Sequence, residues 1–142
     1  MTEYKKGHHA LDIFDAKMEG TPRWVKIWIL LSTIWFAIGL FFVWQHPIAR
    51  WVVGCYVAGF MSLVASSIFD SVLFKLSGFN ALMHVVCWSP ALYFLLTERP
   101  YLATEVTAFS IWSGGVTAIM LFSYFFDIRY SFEYLKHVFS QN

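Results

Sequence analysis

Charge is scarce in this sequence. Asp, Glu, Lys and Arg together make up 13% of the 142 residues, against about 25% in ordinary soluble domains. A formal net charge of +1 leaves no basic excess of the kind that holds nucleic acid, so nucleic acid is excluded as a partner. There are two cysteines, Cys55 and Cys87, both inside apolar runs and without CxxC spacing. They read as buried free thiols that pack as small hydrophobes. No GxSxG, HExxH, GxxxxGK[ST] or cysteine-rich metal pattern occurs. No polar stretch is long enough to form a soluble catalytic domain. The expectation is therefore a protein that is not an enzyme, with no metal site and no cofactor that the sequence requires. The first 20 residues lack an apolar h-region, which predicts no cleavable signal peptide.

What the chain does have is apolar length. Hydrophobic residues account for 58% and aromatic residues for 20%, and the mean hydropathy is +0.58. Four apolar runs, at about residues 23–44, 48–74, 79–96 and 101–127, are each near the roughly 20 residues needed to cross a bilayer as a helix. Thr21 and Pro22 suit a helix start, and Trp24, Lys26, Trp28 and Trp44 suit the two interfaces. Pro47 breaks the chain after the first run, a Lys75–Gly78 turn follows the second, and a polar Thr97–Pro100 loop follows the third. Pro90 lies inside the third run and predicts a kink.

These features predict an all-α, polytopic membrane protein: a four-helix antiparallel bundle over residues 21–128. A polar segment, residues 1–20, precedes it, with Leu11, Phe14 and Met18 at helical spacing. An amphipathic tail, residues 129–142, follows it as a continuing or interfacial helix. With four spans, Lys5, Lys6, Lys17, Arg23, Lys26, Lys75, Arg129 and Lys136 share one side, and only Arg50 and Arg99 lie on the other. The positive-inside rule then puts both termini in the cytoplasm, with the bundle in the inner (plasma) membrane.

Two faces of small residues stand out. Gly54, Ala58, Ser62 and Ser66 recur every fourth position and end at Asp70, and Ser110, Gly114 and Thr117 form a second such face. Positions four apart share one side of a helix, and small faces are where membrane helices approach closely.

Ionisable groups inside a membrane are functional candidates. Asp70 and His84 flank the same turn and are expected at similar depth, with Asn80 one helical turn before His84. A carboxylate beside an imidazole can orient it and share its proton. Structural roles compete: Asp70 can pair with Lys75, and His84 can fix helix packing. Within this chain a haem held by two histidines lacks its second ligand, because His46 belongs to the opposite membrane face, so that ligand would have to come from another copy or another subunit. Glu105 is expected in the first turn of the fourth helix, as a cap or a partner of Arg50 or Arg99. It can also mark the mouth of a polar route through Ser110, Gly114 and Thr117 toward Asp70 and His84.

Three functions follow in order. The first is an accessory subunit or scaffold that joins other membrane subunits, or itself, through its small-residue faces, with the lipid bilayer as its constant partner. The second is a small oligomeric proton-coupled transporter or channel using Asp70 and His84. The third is a binding module for a lipid-soluble cofactor such as a quinone or carotenoid.

Overall fold

The computed structural model describes residues 22–68 and 77–140, and all regular structure among them is helical. Helix α1 spans Arg23–Ile38 and tightens into a 3-10 turn at Gly39–Phe41. Helix α2 spans Pro47–Ile68, α3 spans Ser77–Glu98, and a 3-10 turn at Pro100–Leu102 leads toward α4, Ala108–Ser140. Three segments are long and apolar enough to cross a membrane: Arg23–Phe41, Gly78–Leu102 and Ala108–Ser140.

The ends of the helices differ from those read off hydropathy. The first helix stops at Ile38 instead of running to residue 44. Gly39 lies under the Trp112 indole, where a Cβ would sit 2.5 Å from Cζ2. The chain then closes in short turns, with the Phe42 amide bonding the Gly39 carbonyl and the His46 amide bonding the Phe42 carbonyl, both at 2.9 Å.

The fourth helix starts at Ala108 instead of residue 101. Arg99 adopts a left-handed backbone (φ 49°), and Pro100 opens the 3-10 turn that follows. Thr107 is the cap that starts α4. The Ser110 amide donates to Thr107 Oγ1 at 3.1 Å, and the Thr107 amide donates to Ser110 Oγ at 2.8 Å. This exchange satisfies two amides that a helix start leaves free. No break separates the membrane-length part of α4 from the amphipathic tail. The helix continues for 33 residues, or about 50 Å, so it outreaches a hydrocarbon layer of about 30 Å. Helix α3 likewise continues through Pro90 without interruption.

Helix α4 lies along α3, α3 lies along α2, and α1 closes the bundle by touching both α4 and α2. The core holds Phe36, Val52, Trp88, Leu95, Trp112, Val116 and Met120, all nearly inaccessible. Phe36 of α1 stacks on Tyr56 of α2 at 4.3 Å and meets Trp88 of α3 at 5.3 Å. Thr33 and Tyr56 hydroxyls add a 2.7 Å hydrogen bond between α1 and α2.

Two tryptophans fasten α1 to α4 reciprocally. Trp35 Nε1 donates to the Trp112 carbonyl at 3.0 Å, and Trp112 Nε1 donates to the Trp35 carbonyl at 2.9 Å. Each indole lies over a glycine of the other helix region. Trp112 covers Gly39, and Trp35 covers Gly115 so closely that a Cβ there would collide with its ring. The helices can approach this far because both positions lack a side chain.

The outer surface is apolar, with Leu30, Phe41, Trp44, Tyr93, Phe125 and Phe139 among the exposed large side chains.

Candidate functional site

The described residues bring one part-buried ion-pair partner to His84, and it comes from α4. His84 Nδ1 lies 3.3 Å from Asp127 Oδ2, with the two side chains 26% and 17% exposed. Asp70, the carboxylate that the sequence suggested for this role, lies outside the described residues. Ser131, one turn beyond Asp127, donates its hydroxyl to the Asp127 carbonyl at 2.6 Å.

His84 is held on its other face as well. Its ring stacks on Trp88, one turn along α3, at 4.6 Å and 17°. Gly59 of α2 covers both rings: a Cβ there would lie 3.2 Å from Trp88 Nε1 and 3.3 Å from His84 Cδ2. The α2 backbone therefore closes over the pair. Two side-chain atoms beside His84 in sequence, Trp88 Nε1 and Asn80 Oδ1, are buried without a hydrogen-bond partner. Each such group costs about 1–3 kcal/mol when left unpaired. One turn back along α4 from Asp127, the Tyr124 hydroxyl lies 3.1 Å from that of Ser89 on α3, and both reach the Val85 carbonyl.

Chemically, an imidazole whose Nδ1–H points at a carboxylate has its tautomer set, leaving Nε2 to take a proton. Asp127 carries a signal in the sequence: it is the one charged residue in the apolar run from Val116 to Ile128.

The Ser110, Gly114 and Thr117 face does turn inward. Ser110, Ser113 and Thr117 are buried, and Gly114 packs against Tyr101. Their hydroxyls are spent within α4, however. Ser110 donates to the Thr107 carbonyl at 2.8 Å, Ser113 to the Ser110 carbonyl at 2.9 Å, and Thr117 to the Ser113 carbonyl at 2.7 Å. These donors serve their own helix, and Trp112 and Val116 fill the space beside them. Glu105 lies before α4, exposed in a bend, rather than in its first turn. The cationic residues expected near it are engaged elsewhere: Arg50 Nε donates to the Val43 carbonyl at 2.7 Å, and Arg99 Nε to the Leu96 carbonyl at 3.1 Å. His46 stacks flat on Phe109, with centroids 3.6 Å apart and planes within 4°.

The other small face turns outward. Gly54 and Ala58 are exposed, and Ser62 is half-buried with its hydroxyl on the Gly59 carbonyl at 2.6 Å. A Cβ at Gly54 would meet nothing within 4 Å. Ser66 continues this register along α2. The buried side of α2 is instead Ala49, Val52, Cys55 and Gly59. Gly54 and Ala58 line an open groove of about 480 Å³ between α2 and α3, with Arg50, Trp51, Val86, Cys87 and Pro90 among its walls. Pro90 has no N–H to give the Val86 carbonyl four residues back.

No family model, no curated protein and no solved structure matches the chain.

Proposed function

We propose that the chain is a small integral membrane subunit, four helices in the inner membrane with both termini cytoplasmic, whose role is to pack with a transmembrane helix of another subunit. The observation that carries this reading is the open groove at Gly54 and Ala58. A small-residue floor admits a second helix at close range. The Val86 carbonyl beside Pro90 favours an incoming helix that brings a Ser, Thr, Asn or Gln donor, since backbone acceptors in a bilayer need partners. The apolar outer surface suits lipid contact, and the excess of Lys and Arg on one side supports that orientation.

Native mass spectrometry of the protein extracted in mild detergent tests this. The expected result is a discrete added protein mass that Gly54→Ile removes. A wild-type chain that runs alone, or only as copies of itself, contradicts the proposal.

The His84–Asp127 pair favours a second reading, a proton-coupled transporter. There a proton exchanged at His84 would drive movement of a substrate. Reconstituted in vesicles with an imposed pH gradient, the wild type would then move protons. His84→Gln and Asp127→Asn, folded as judged by circular dichroism, would not. Equal flux in all three sinks this reading.

A further inference from the structure

The two cysteines are the only thiols in the chain, they come from different helices, and they end in the same place. Cys55 of α2 and Cys87 of α3 both line the groove beside Gly54. Both are free thiols, Cys55 buried and Cys87 partly accessible. Cys55 belongs to the buried cluster between the helices, and Cys87 packs against that same cluster. Ala91, one turn from Cys87 on the same face of α3, is a member of the cluster that holds Cys55, so the two cysteines approach one groove from the two helices. Arg50 lines the same groove.

The structure assigns Cys55 and Cys87 to a two-thiolate site for a soft monovalent cation, copper(I). Two soft sulfur ligands select copper(I) over harder ions. Zinc in a structural site wants four ligands, and no group of three or more His, Cys, Asp or Glu able to hold a metal occurs among the described residues. Binding exchanges protons for metal: two thiols and one Cu⁺ give a Cu⁺ bridged by two thiolates, with net charge −1, and two H⁺. Copper stays monovalent, and no oxidant is involved. The negative charge of the complex would be costly in an apolar groove if it stood alone, and Arg50, whose guanidinium also donates to the Val43 and Trp44 carbonyls, is the cation in the groove lining. The glycine floor at Gly54 leaves room for the ion, and the partly accessible Cys87 side leaves a way in. This inference does not rest on the subunit reading, because the site is complete within one chain.

The test is an anaerobic titration of the purified, reduced protein in detergent with copper(I), in competition with a chromogenic chelator. The expected result is one ion per chain and protection of both thiols from N-ethylmaleimide. Cys55→Ser and Cys87→Ser are each expected to weaken binding at least tenfold, and Arg50→Gln severalfold with the stoichiometry unchanged. Cys87→Ser alters only a partly exposed position, so it is the variant least exposed to folding loss, and circular dichroism checks each. Binding of two ions per chain, wild-type affinity in either single-cysteine variant, or affinity no greater than that of the Cys55→Ser/Cys87→Ser chain overturns the assignment.

Discussion

The α1–α4 contact and the α2–α3 groove are built from the same kind of residue and differ in what covers it. Gly39 and Gly115 lie beneath indole rings that leave no room for a Cβ, while Gly54 faces open space. At the first place two tryptophans exchange hydrogen bonds with each other's backbone, so the close approach is filled by the chain itself. At the second, the small residues form the floor of a groove that no described side chain fills. A small residue in a helix therefore says that something comes close, and the neighbouring large residues decide whether that something is already present. Trp35 and Trp112 supply the cover in one case. Around Gly54 the large neighbours Trp51 and Val86 stand to the sides as walls.

The comparison can be broken most sharply at Gly115. Gly115→Val places a branched side chain against Trp35, and overpacking of this kind typically costs about 1–3 kcal/mol. The expected result is a large loss of stability, or no folded protein, in a detergent unfolding titration. If Gly115→Val folds as well as the wild type, the two faces are not different in the way described. Trp35→Phe keeps an aromatic ring over Gly115 but removes the donor to the Trp112 carbonyl. It is expected to cost about 0.5–1.5 kcal/mol, because one interhelical hydrogen bond is lost while the Trp112 carbonyl keeps its place in the α4 ladder. The same titration measures it. Thr107→Ala removes the cap that starts α4 and should cost about 1 kcal/mol. A loss confined to the first turn would show as faster amide hydrogen exchange there. Gly54→Val is expected to have the smallest effect on the isolated chain, within about 0.5 kcal/mol, while abolishing the added mass seen by native mass spectrometry. Destabilisation by Gly54→Val comparable to that of Gly115→Val would show that the groove is part of the bundle's own core.

Much of the bundle is legible in the sequence, because apolar length marks each helix and Pro or Gly marks most of the breaks. The buried face of α4 is legible too: Ser110, Ser113 and Thr117 share a side and turn inward. What hydropathy does not carry is where a helix starts within an apolar stretch. Tyr101 and Leu102 are as apolar as the helix that follows, yet they form a 3-10 turn, and the reciprocal Thr107–Ser110 cap sets the true start.

That shift hides the partner of His84. Counted from residue 101, Asp127 lies about 39 Å along the helix, beyond the membrane layer, whereas His84 lies about 21 Å from the end of α3. Counted from Ala108, Asp127 comes back to about 29 Å, closer to the level of His84. The direction of the Gly54 stripe is hidden for another reason. Periodicity shows that Gly54, Ala58 and Ser62 share a side, but the large residues that fill or leave open the space before them come from α3. Cys55 and Cys87 come to one groove for the same cause, through a register between α2 and α3 that composition does not encode.

The most direct test of the central claim is a photo-activated crosslinking residue placed at Ala58, in the groove, and, as a control, at Phe125, which is 78% exposed on the outer surface of α4. Illumination of native membranes is predicted to give one discrete protein adduct from position 58 and only lipid adducts from position 125. Lipid adducts alone from both positions would contradict the account, because the groove would then be one more stretch of lipid-facing surface.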